Sequence, residues 1–494
     1  MASITAVWRA RQSRFKKPSS AGLFLIRLLH AYFPKRTLFL GISEACLVSF
    51  AFIAAAVARL GADATGLLLN YQHGSLKILF VSVAVITCMY YFDLYDSSIL
   101  GNRREVLIRL AEVLGTVYSL LAFLYYWYPA LELGRGIFVI GLTFVAILLF
   151  FWRRLFSKIN SVSEFADRAL ILGEGPLAEL LQHEFELRPE LGLRVVGRIS
   201  VLDNGNHDVE RGELPGDPLG TDAVEDLSRA VKLLRANRIV VAMDERRGKL
   251  PVDVLLSLKC RGLQVQDGVE VYEAITGKVP IESVRSGWLL FSPGCYASRF
   301  HLAYKRVASI LVSILGLLLG LPLFPFIILA IKLTSSGPVV YRQRRVGRDG
   351  VVFNCYKFRT MRADAEADTG PTWATDDDPR ITPVGKFLRM SRMDEIPQLW
   401  NVLRGDMSLV GPRPERPEFV GALSQEIPCY HLRHTIRPGI TGWAQIRHKY
   451  SSSIEDAREK LRYDLFYIKN MSLGLDLLVF LQTIKVILWA QGAK

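Results

Sequence analysis

The sequence predicts a membrane protein of α plus α/β class: a four-helix transmembrane unit, a Rossmann-like α/β domain, and a mainly helical C-terminal domain with a re-entrant membrane helix. Three observations predict it. Four apolar stretches, near 38–58, 76–95, 106–128 and 137–152, each approach the roughly 20 residues that cross a bilayer, the last being short. Short β-like runs alternate with helical patterns over 166–290, the signature of a parallel sheet. A further apolar run, 307–331, contains Pro322 and Pro325. The expected parts are therefore a basic cytoplasmic segment 1–37, a transmembrane unit 38–158, a Rossmann-like domain 166–290 and a C-terminal domain 300–494.

Composition agrees with this division. A chain of 494 residues is long enough for about three domains. Half of it is apolar, and the mean hydropathy of +0.24 is high for a soluble protein. A net charge of +14 fits anionic lipid or a phosphorylated substrate. No nucleic-acid module accompanies the charge, so nucleic acid is not an expected partner. The six cysteines are scattered without a CxxC, which argues against a disulfide framework or a structural zinc site. His431 and His434 are close, but no third ligand stands at obvious spacing.

Residues 1–37 carry Arg9, Arg11, Arg14, Lys16, Lys17, Arg27, Lys35 and Arg36 and no acid. This long basic leader and the later apolar stretches argue against a cleaved signal peptide ending in the Ala-rich run 54–58. Arg103, Arg104 and Arg109 follow the second stretch, and Arg153, Arg154 and Lys158 follow the fourth, whereas the other two loops hold little beyond Arg59 and Arg135. The positive-inside rule then puts both ends of the four-helix unit in the cytoplasm.

Strands are expected at Arg168–Leu172, Leu193–Ile199, Arg238–Met243 and Leu263–Gln266. The Gly173/Gly175 turn after the first could cradle a dinucleotide phosphate, a weak motif against a structural or regulatory domain. No tyrosine has a lysine four residues later, so the Tyr-x-x-x-Lys pair of a sugar-nucleotide dehydratase is missing.

Lys305 and Arg306 precede the run 307–331, and Lys332, Arg342, Arg344 and Arg345 follow it. Basic charge on both flanks disfavours translocating either, and each proline removes a helix hydrogen bond. The expectation is a helix that enters the bilayer, breaks near Pro322 and Pro325, and returns to the cytoplasmic face. A complete fifth crossing is the alternative. Beyond it, Val339–Tyr341 and Val351–Phe358 read as strands about the Arg348-Asp349-Gly350 turn, presenting Arg345, Lys357 and Arg359 near one another. Residues 362–383 read as a loop with three successive aspartates, Asp376 to Asp378, more simply a solvated turn than a cation site.

The charge and motif density peaks over 389–414. Ile396, Leu399, Trp400 and Leu403 recur at helical spacing, predicting a helix with one buried face. Asp394 fits its N-cap, Pro397 its first turn and Gly405 its stop. Arg389 and Arg392 precede the Asp394–Glu395 pair, and Arg404, Arg413 and Arg416 follow it. Carboxylates at a positive helix start among guanidinium groups suit phosphate and a divalent cation; a capped helix with solvated charges is the plainer alternative. Further on, Arg437 is a candidate phosphate contact and Trp443 a packing residue. The apolar end, 463–489, punctuated by Asp464, Lys469, Asp476 and Lys485, suits one or two helices lying in the interface.

The segments KFRTM, FLRMSRMDEIPQLWNVLRGDMSLVGPRPE, RPGITGWAQI and YDLFYIKNMSL together resemble the bacterial sugar transferase family, over about 300–494. With the front half, the chain is similar to its long members, the exopolysaccharide polyprenyl glycosylphosphotransferases. The resemblance implies transfer of a hexose-1-phosphate from a UDP-sugar to polyprenyl (undecaprenyl) phosphate, with release of UMP at the bacterial inner membrane. It implies that Asp394 is the nucleophile, forming a covalent phosphosugar, and Glu395 its partner. It also implies Mg²⁺ as cofactor, held by Asp394 and Glu395, and Arg389 as a phosphate-binding residue. Lys357, Arg359, Arg413 and Arg416 are further nominations for that task. The family's helix break is typically a Ser-Pro pair; here Leu321-Pro322 stands in its place, with Pro325 in addition. Inner-membrane lipid is an expected partner, and homodimerisation stays open. A scaffold or regulator of polysaccharide assembly and a membrane-bound nucleotide-sugar dehydratase are the rival readings.

Overall fold

The computed structural model describes residues 25–28, 31–71, 73–95, 103–160, 167–188, 192–199, 223–243, 246, 250–283, 298–362, 364–365, 378–448 and 453–488. Arg9, Arg11, Arg14, Lys16, Lys17, Asp376 and Asp377, named above, and one of the six cysteines, Cys295, lie outside the described residues. Two compact units are present, one holding Phe33–Gln266 and the other Asp267–Lys494.

The first unit begins with five helices: α1 (Lys35–Leu60), α2 (Ala62–Tyr71), α3 (Gly74–Tyr91), α4 (Arg103–Trp127) and α5 (Arg135–Asn160). All but α2 are long and apolar enough to cross a membrane; with Arg299–Thr334 of the second unit they make five such segments among the described residues. The protein is a membrane protein. Val48 and Phe52 of α1, Val81 and Val85 of α3, Val113 and Val117 of α4, and Val145 and Leu149 of α5 share one core. Phe50, Leu79, Phe123 and Phe151 face outward and exposed, as a lipid-facing surface requires. Short α2 falls where the sequence reading placed only a loop.

Arg153, counted above among the charges that orient the unit, is buried. It forms an ion pair with Glu44 of α1 at 2.7 Å and donates to the Leu94 carbonyl at 2.7 Å. A buried charge needs such a partner, and this one ties α5 to α1 and to the segment after α3.

The same unit continues with a four-stranded sheet. Its strands are β1 (Asp167–Leu172), β2 (Leu193–Ile199), β3 (Arg238–Val241) and β4 (Gln264–Asp267), in the order β2-β1-β3-β4. Strand β1 pairs in parallel with both β2 and β3. Helix α6 (Pro176–Leu187) connects β1 to β2 across the Gly173/Gly175 turn, and α7 (Ala223–Leu233) and α8 (Val252–Cys260) precede β3 and β4. A Cβ on Gly173, whose φ is +124°, would lie 2.8 Å from the Ala242 carbonyl. Close approach of two strand ends thus accounts for this glycine without a bound phosphate.

The second unit begins at Asp267, before the boundary drawn at 290. Helix α9 (Gly268–Thr276) is N-capped by Asp267, and Val279 and Ile281 join a core with Trp443, Leu461 and Tyr467. The broken apolar run follows: α10 (Arg299–Gly320), a 3₁₀ turn at Leu321–Leu323, and α11 (Phe324–Thr334). Pro322 and Pro325 stand in the first turns of the last two pieces, where a missing N–H is tolerated. Ser309, Ser313, Gly320, Ile327 and Ile331 are buried along one side, while Leu311, Leu315, Leu318, Phe326, Leu329 and Leu333 are exposed on the other.

The hairpin β5 (Val340–Val346) and β6 (Val352–Phe358) is antiparallel, with Tyr341 opposite Lys357 and Arg345 opposite Phe353. Helices α12 (Pro383–Met390), α13 (Gln398–Arg404), α14 (Pro417–Glu426), α15 (Trp443–Arg447), α16 (Ile454–Lys469) and α17 (Leu473–Leu488) follow. The expectation of interfacial helices over 463–489 is corrected for α16. Tyr463 to Lys469 are buried, because the charges that suggested an interface are neutralised internally. Asp464 pairs with Arg433 at 2.9 Å and Lys469 with Glu273 at 2.8 Å.

Candidate active site

The acid pair occupies a turn that the helical spacing did not predict. Helix α12 ends at Met390, and Arg392 takes a left-handed conformation (φ 57°, ψ 15°). That conformation, uncommon for a residue with a Cβ, reverses the chain into a 3₁₀ turn, Met393–Glu395, which buries both carboxylates. Asp394 is therefore not the N-cap of α13, which starts after Pro397; Gly405 (φ 97°) ends that helix as expected.

The buried face also differs from the predicted one. Asp394, Glu395, Gln398, Asn401 and Val402 are buried, whereas Trp400 is 54% exposed. Ile396 and Leu399 instead approach the broken run: a Cβ on Gly316 would lie 2.8 Å from Leu399, and one on Gly320 3.4 Å from Ile396. Polar residues face inward because they serve the site, while the apolar stripe meets the membrane helix.

Asn401, fully buried, fixes β6 against α13. Its Oδ1 accepts from the Tyr356 amide at 3.1 Å, and its Nδ2 donates to the Asn354 carbonyl at 2.7 Å. The side-chain amide thus satisfies the free edge of β6. Lys357, one residue on, is held over the acid pair. Its Nζ lies 3.1 Å from Glu395 Oε1 and 3.9 Å from Asp394 Oδ2. Arg413 donates to the same Glu395 oxygen at 2.8 Å. Behind it, buried Arg433 donates to the Arg413 carbonyl at 3.0 Å and to the Tyr430 hydroxyl at 2.6 Å.

These contacts separate the two acids electrostatically. Burial pushes the Asp394 carboxyl above its ordinary range, adjacent Glu395 adds to the rise, and Lys357, Arg413 and Arg389 oppose it. Burial also disfavours charge on Glu395, yet Lys357, Arg413 and Arg392 together hold it well below the usual range. Glu395 is a fixed anion. Asp394 is the more basic carboxylate, and Lys357 meets it only at 3.9 Å.

The other nominated residues are placed unevenly. Arg389 donates to Thr360 Oγ1 at 2.9 Å and acts on Asp394 through its field. Arg359 is buried and donates to the Ser335 carbonyl at 2.8 Å, while its Nε and Nη1 have no hydrogen-bond partner among the described residues. Arg345, expected beside Lys357 and Arg359, is four residues from Lys357 in register and donates to the Pro414 carbonyl at 2.9 Å. At about 3.3 Å per residue that separates their backbones by roughly 13 Å. Arg416 lies 3.7 Å from Glu418, and Arg437 lines a cavity by the far end of α13. Asp378 is held by Arg380 in a bidentate pair, with Nε–Oδ1 at 2.8 Å. Burial pushes the His434 imidazole down to about 4, and Arg433 adds to this, so it stays neutral.

Sequence reasoning passed over Gln398. It is 3% exposed, one turn beyond the acid pair, and its Nε2 has no hydrogen-bond partner among the described residues. A buried amide donor left unpaired is costly and asks for an acceptor. The only signal was a polar residue at an interior position of a short helix.

The family model for bacterial sugar transferases matches residues 300–490. A UDP-glucose:undecaprenyl-phosphate glucose-1-phosphate transferase of Klebsiella pneumoniae is 34% identical over 366 residues, covering 73% of this chain and 74% of that protein. The chain belongs to the bacterial sugar transferase family. Other family members extend the comparison. A UDP-N-acetylgalactosamine-undecaprenyl-phosphate N-acetylgalactosaminephosphotransferase of Aeromonas hydrophila is 44% identical over 228 residues, 46% of this chain and 52% of that protein, so the match spans about half of that relative. The exopolysaccharide production protein PSS of Rhizobium leguminosarum is 40% identical over 188 residues, 37% of this chain and 94% of that protein.

Proposed function

We propose that this family member transfers a hexose-1-phosphate from a UDP-sugar to undecaprenyl phosphate, as the first membrane step of exopolysaccharide synthesis. The asymmetry of the acid pair carries the reading: Glu395 absorbs Lys357 and Arg413 while Asp394 keeps its basicity. An Asp394 oxygen attacks the sugar-bearing phosphorus; its bond to phosphorus forms as the phosphoanhydride breaks, and UMP leaves with the electron pair. An oxygen of the lipid phosphate then attacks the same phosphorus, the aspartyl bond breaks, and the carboxylate is regenerated. Splitting one displacement into two is the advantage of a nucleophilic carboxylate. Lys357, Arg413, Arg389 and the unpaired amide of Gln398 are the donors near enough to hold phosphate oxygens.

The donor set fits magnesium. Mg²⁺ is usually held by one or two carboxylates together with substrate phosphates. Asp394 and the second oxygen of Glu395 would supply the former; no group of three candidate ligands exists among the described residues. When bound, the ion offsets the charge of the diphosphate.

Burial supports a membrane placement. The α12–α13 segment covers one side of the broken run from Gly316 to Ile331, through Ile396, Leu399, Met393 and Leu388. A full crossing would carry these elements and their charges into hydrocarbon, at a high cost. This favours a re-entrant helix 307–331 that holds the acid pair at the cytoplasmic interface, where lipid phosphate and soluble UDP-sugar meet.

Radiolabelled UDP-glucose and UDP-N-acetylgalactosamine, each with undecaprenyl phosphate and Mg²⁺, test the reading. UMP and a labelled lipid product are expected with at least one of a panel of UDP-hexoses. Release of UMP from none of them would favour a non-catalytic scaffold.

A further inference from the structure

We propose that a second phosphate site, for the headgroup of a membrane lipid, lies at the end of α13 remote from the acid pair. A cavity of about 300 Å³ there is lined by four cations, Lys305, Arg306, Arg348 and Arg437, and by no acidic residue among the described residues. Its polar surface also includes Ser309 and Ser408, buried, with hydroxyls 3.3 Å apart. The inference goes beyond the transfer reaction and rests only on the membrane placement of α10.

Two of the cations are engaged with protein. Lys305 pairs with Asp476 at 3.2 Å, and Arg306 donates to the Leu403 carbonyl at 2.8 Å. The other two stand exposed. Among the described residues Arg348 pairs only with its sequence neighbour Asp349, at 3.1 Å between exposed side chains, a pairing worth little. Among the described residues Arg437 has no ion pair or side-chain hydrogen bond. Convergent guanidinium groups without carboxylates are the usual means of holding a phosphate.

The rest of the lining indicates a lipid. Leu302 and Met471 add apolar surface to the same cavity. On the first turns of α10, Phe300, Tyr304 and Val307 are exposed, next to the cavity residues Leu302 and Arg306. A phosphate bound here would sit at headgroup depth with its acyl or prenyl chains along that apolar surface.

This cavity is distinct from the reaction centre. Arg306 touches the carbonyls of Val402 and Leu403 in the last turn of α13, whereas Glu395 precedes its first turn. Seven residues at about 1.5 Å each put roughly 10 Å between Glu395 and Val402. A phosphate held at Arg437 is therefore either a bulk anionic phospholipid or the acceptor lipid in a waiting position. The chemistry is shared; the source is for experiment.

The test uses the full chain in phosphatidylcholine nanodiscs, doped separately with phosphatidylglycerol or undecaprenyl phosphate, with inorganic phosphate as the soluble arm. Retained lipid is read by native mass spectrometry, which needs no turnover, so failure of the transfer reaction would not affect the result. Arg437→Gln and Arg348→Gln should each weaken retention of one or both lipid phosphates about tenfold or more, the loss of a charge-assisted bond. Arg437→Lys should restore much of it, and Arg344→Gln, on the exposed hairpin, should change nothing. Weakened phosphatidylglycerol retention identifies bulk lipid, and weakened undecaprenyl phosphate retention identifies the acceptor. Should a Gln variant lose its fold, the rise in Tm caused by phosphatidylglycerol or undecaprenyl phosphate, compared between wild type and Arg437→Lys, reads the same site. Wild-type retention of both lipids in folded Arg437→Gln, or an effect on inorganic phosphate alone, would overturn the proposal.

Discussion

Arg413 donates to Glu395 Oε1 at 2.8 Å, and that contact spends on Glu395 a charge that could have stabilised Asp394. Lys357 makes the same choice, 3.1 Å from Glu395 against 3.9 Å from Asp394. Two neighbouring acids thus acquire different properties, as paired carboxylates in active sites commonly do. The consequences below follow from that division and from the packing that maintains it.

The acid limb of kcat/KM should reflect Asp394. Its pKa is raised, so the attacking carboxylate is lost, as pH falls, earlier than an exposed aspartate would be. Lys357 opposes the rise; in Lys357→Met the acid limb should move to higher pH. A pH–rate profile checks this, and an unmoved or lowered limb would contradict the assignment.

Gln398→Leu should separate stability from function. Removing an unpaired buried amide relieves a cost of about 1–3 kcal/mol, so the variant should melt no lower than wild type. Turnover should fall about tenfold or more, equivalent to roughly 1.4 kcal/mol of lost transition-state stabilisation. A lower melting temperature with normal turnover would make Gln398 structural.

Gly385 shows how the first turn of α12 is seated. A Cβ there would lie 2.0 Å from the Thr360 carbonyl oxygen. Gly385→Ala should destabilise by about 1–3 kcal/mol, the usual range for overpacking. Because Thr360 Oγ1 accepts from Arg389, activity should fall too. Thermal unfolding and UMP release measure the two effects.

Ser336, exposed just past the broken run, reports topology. In a background without other exposed cysteines, Ser336→Cys should be labelled by an impermeant maleimide in inverted membrane vesicles and not in intact spheroplasts. Labelling in spheroplasts would mean a full crossing.

Much of this was legible in the sequence because hydropathy, strand–helix alternation and motif spacing are local properties. The apolar stretches near 38–58 and 137–152 became α1 and α5, and the strands expected near 168–172 and 238–243 formed. What escaped was decided by tertiary partners. Nothing local marks Arg392 as left-handed, so Asp394 was read as a helix cap rather than a residue of a buried 3₁₀ turn. Asp464 and Lys469 read as interfacial charges because Arg433 and Glu273, their partners, are distant in sequence. Which cation meets which acid is likewise a matter of side-chain placement, and Arg359, Arg416 and Arg437 found other surroundings.

The central claim is that Asp394 carries the phosphosugar. Purified protein given a UDP-sugar that it turns over, without lipid acceptor, should gain the mass of one sugar phosphate, release one equivalent of UMP and show the adduct on the Asp394 peptide. Asp394→Asn should do none of these. Wild-type turnover by Asp394→Asn, or rapid turnover with no adduct on the wild-type protein, would contradict the account.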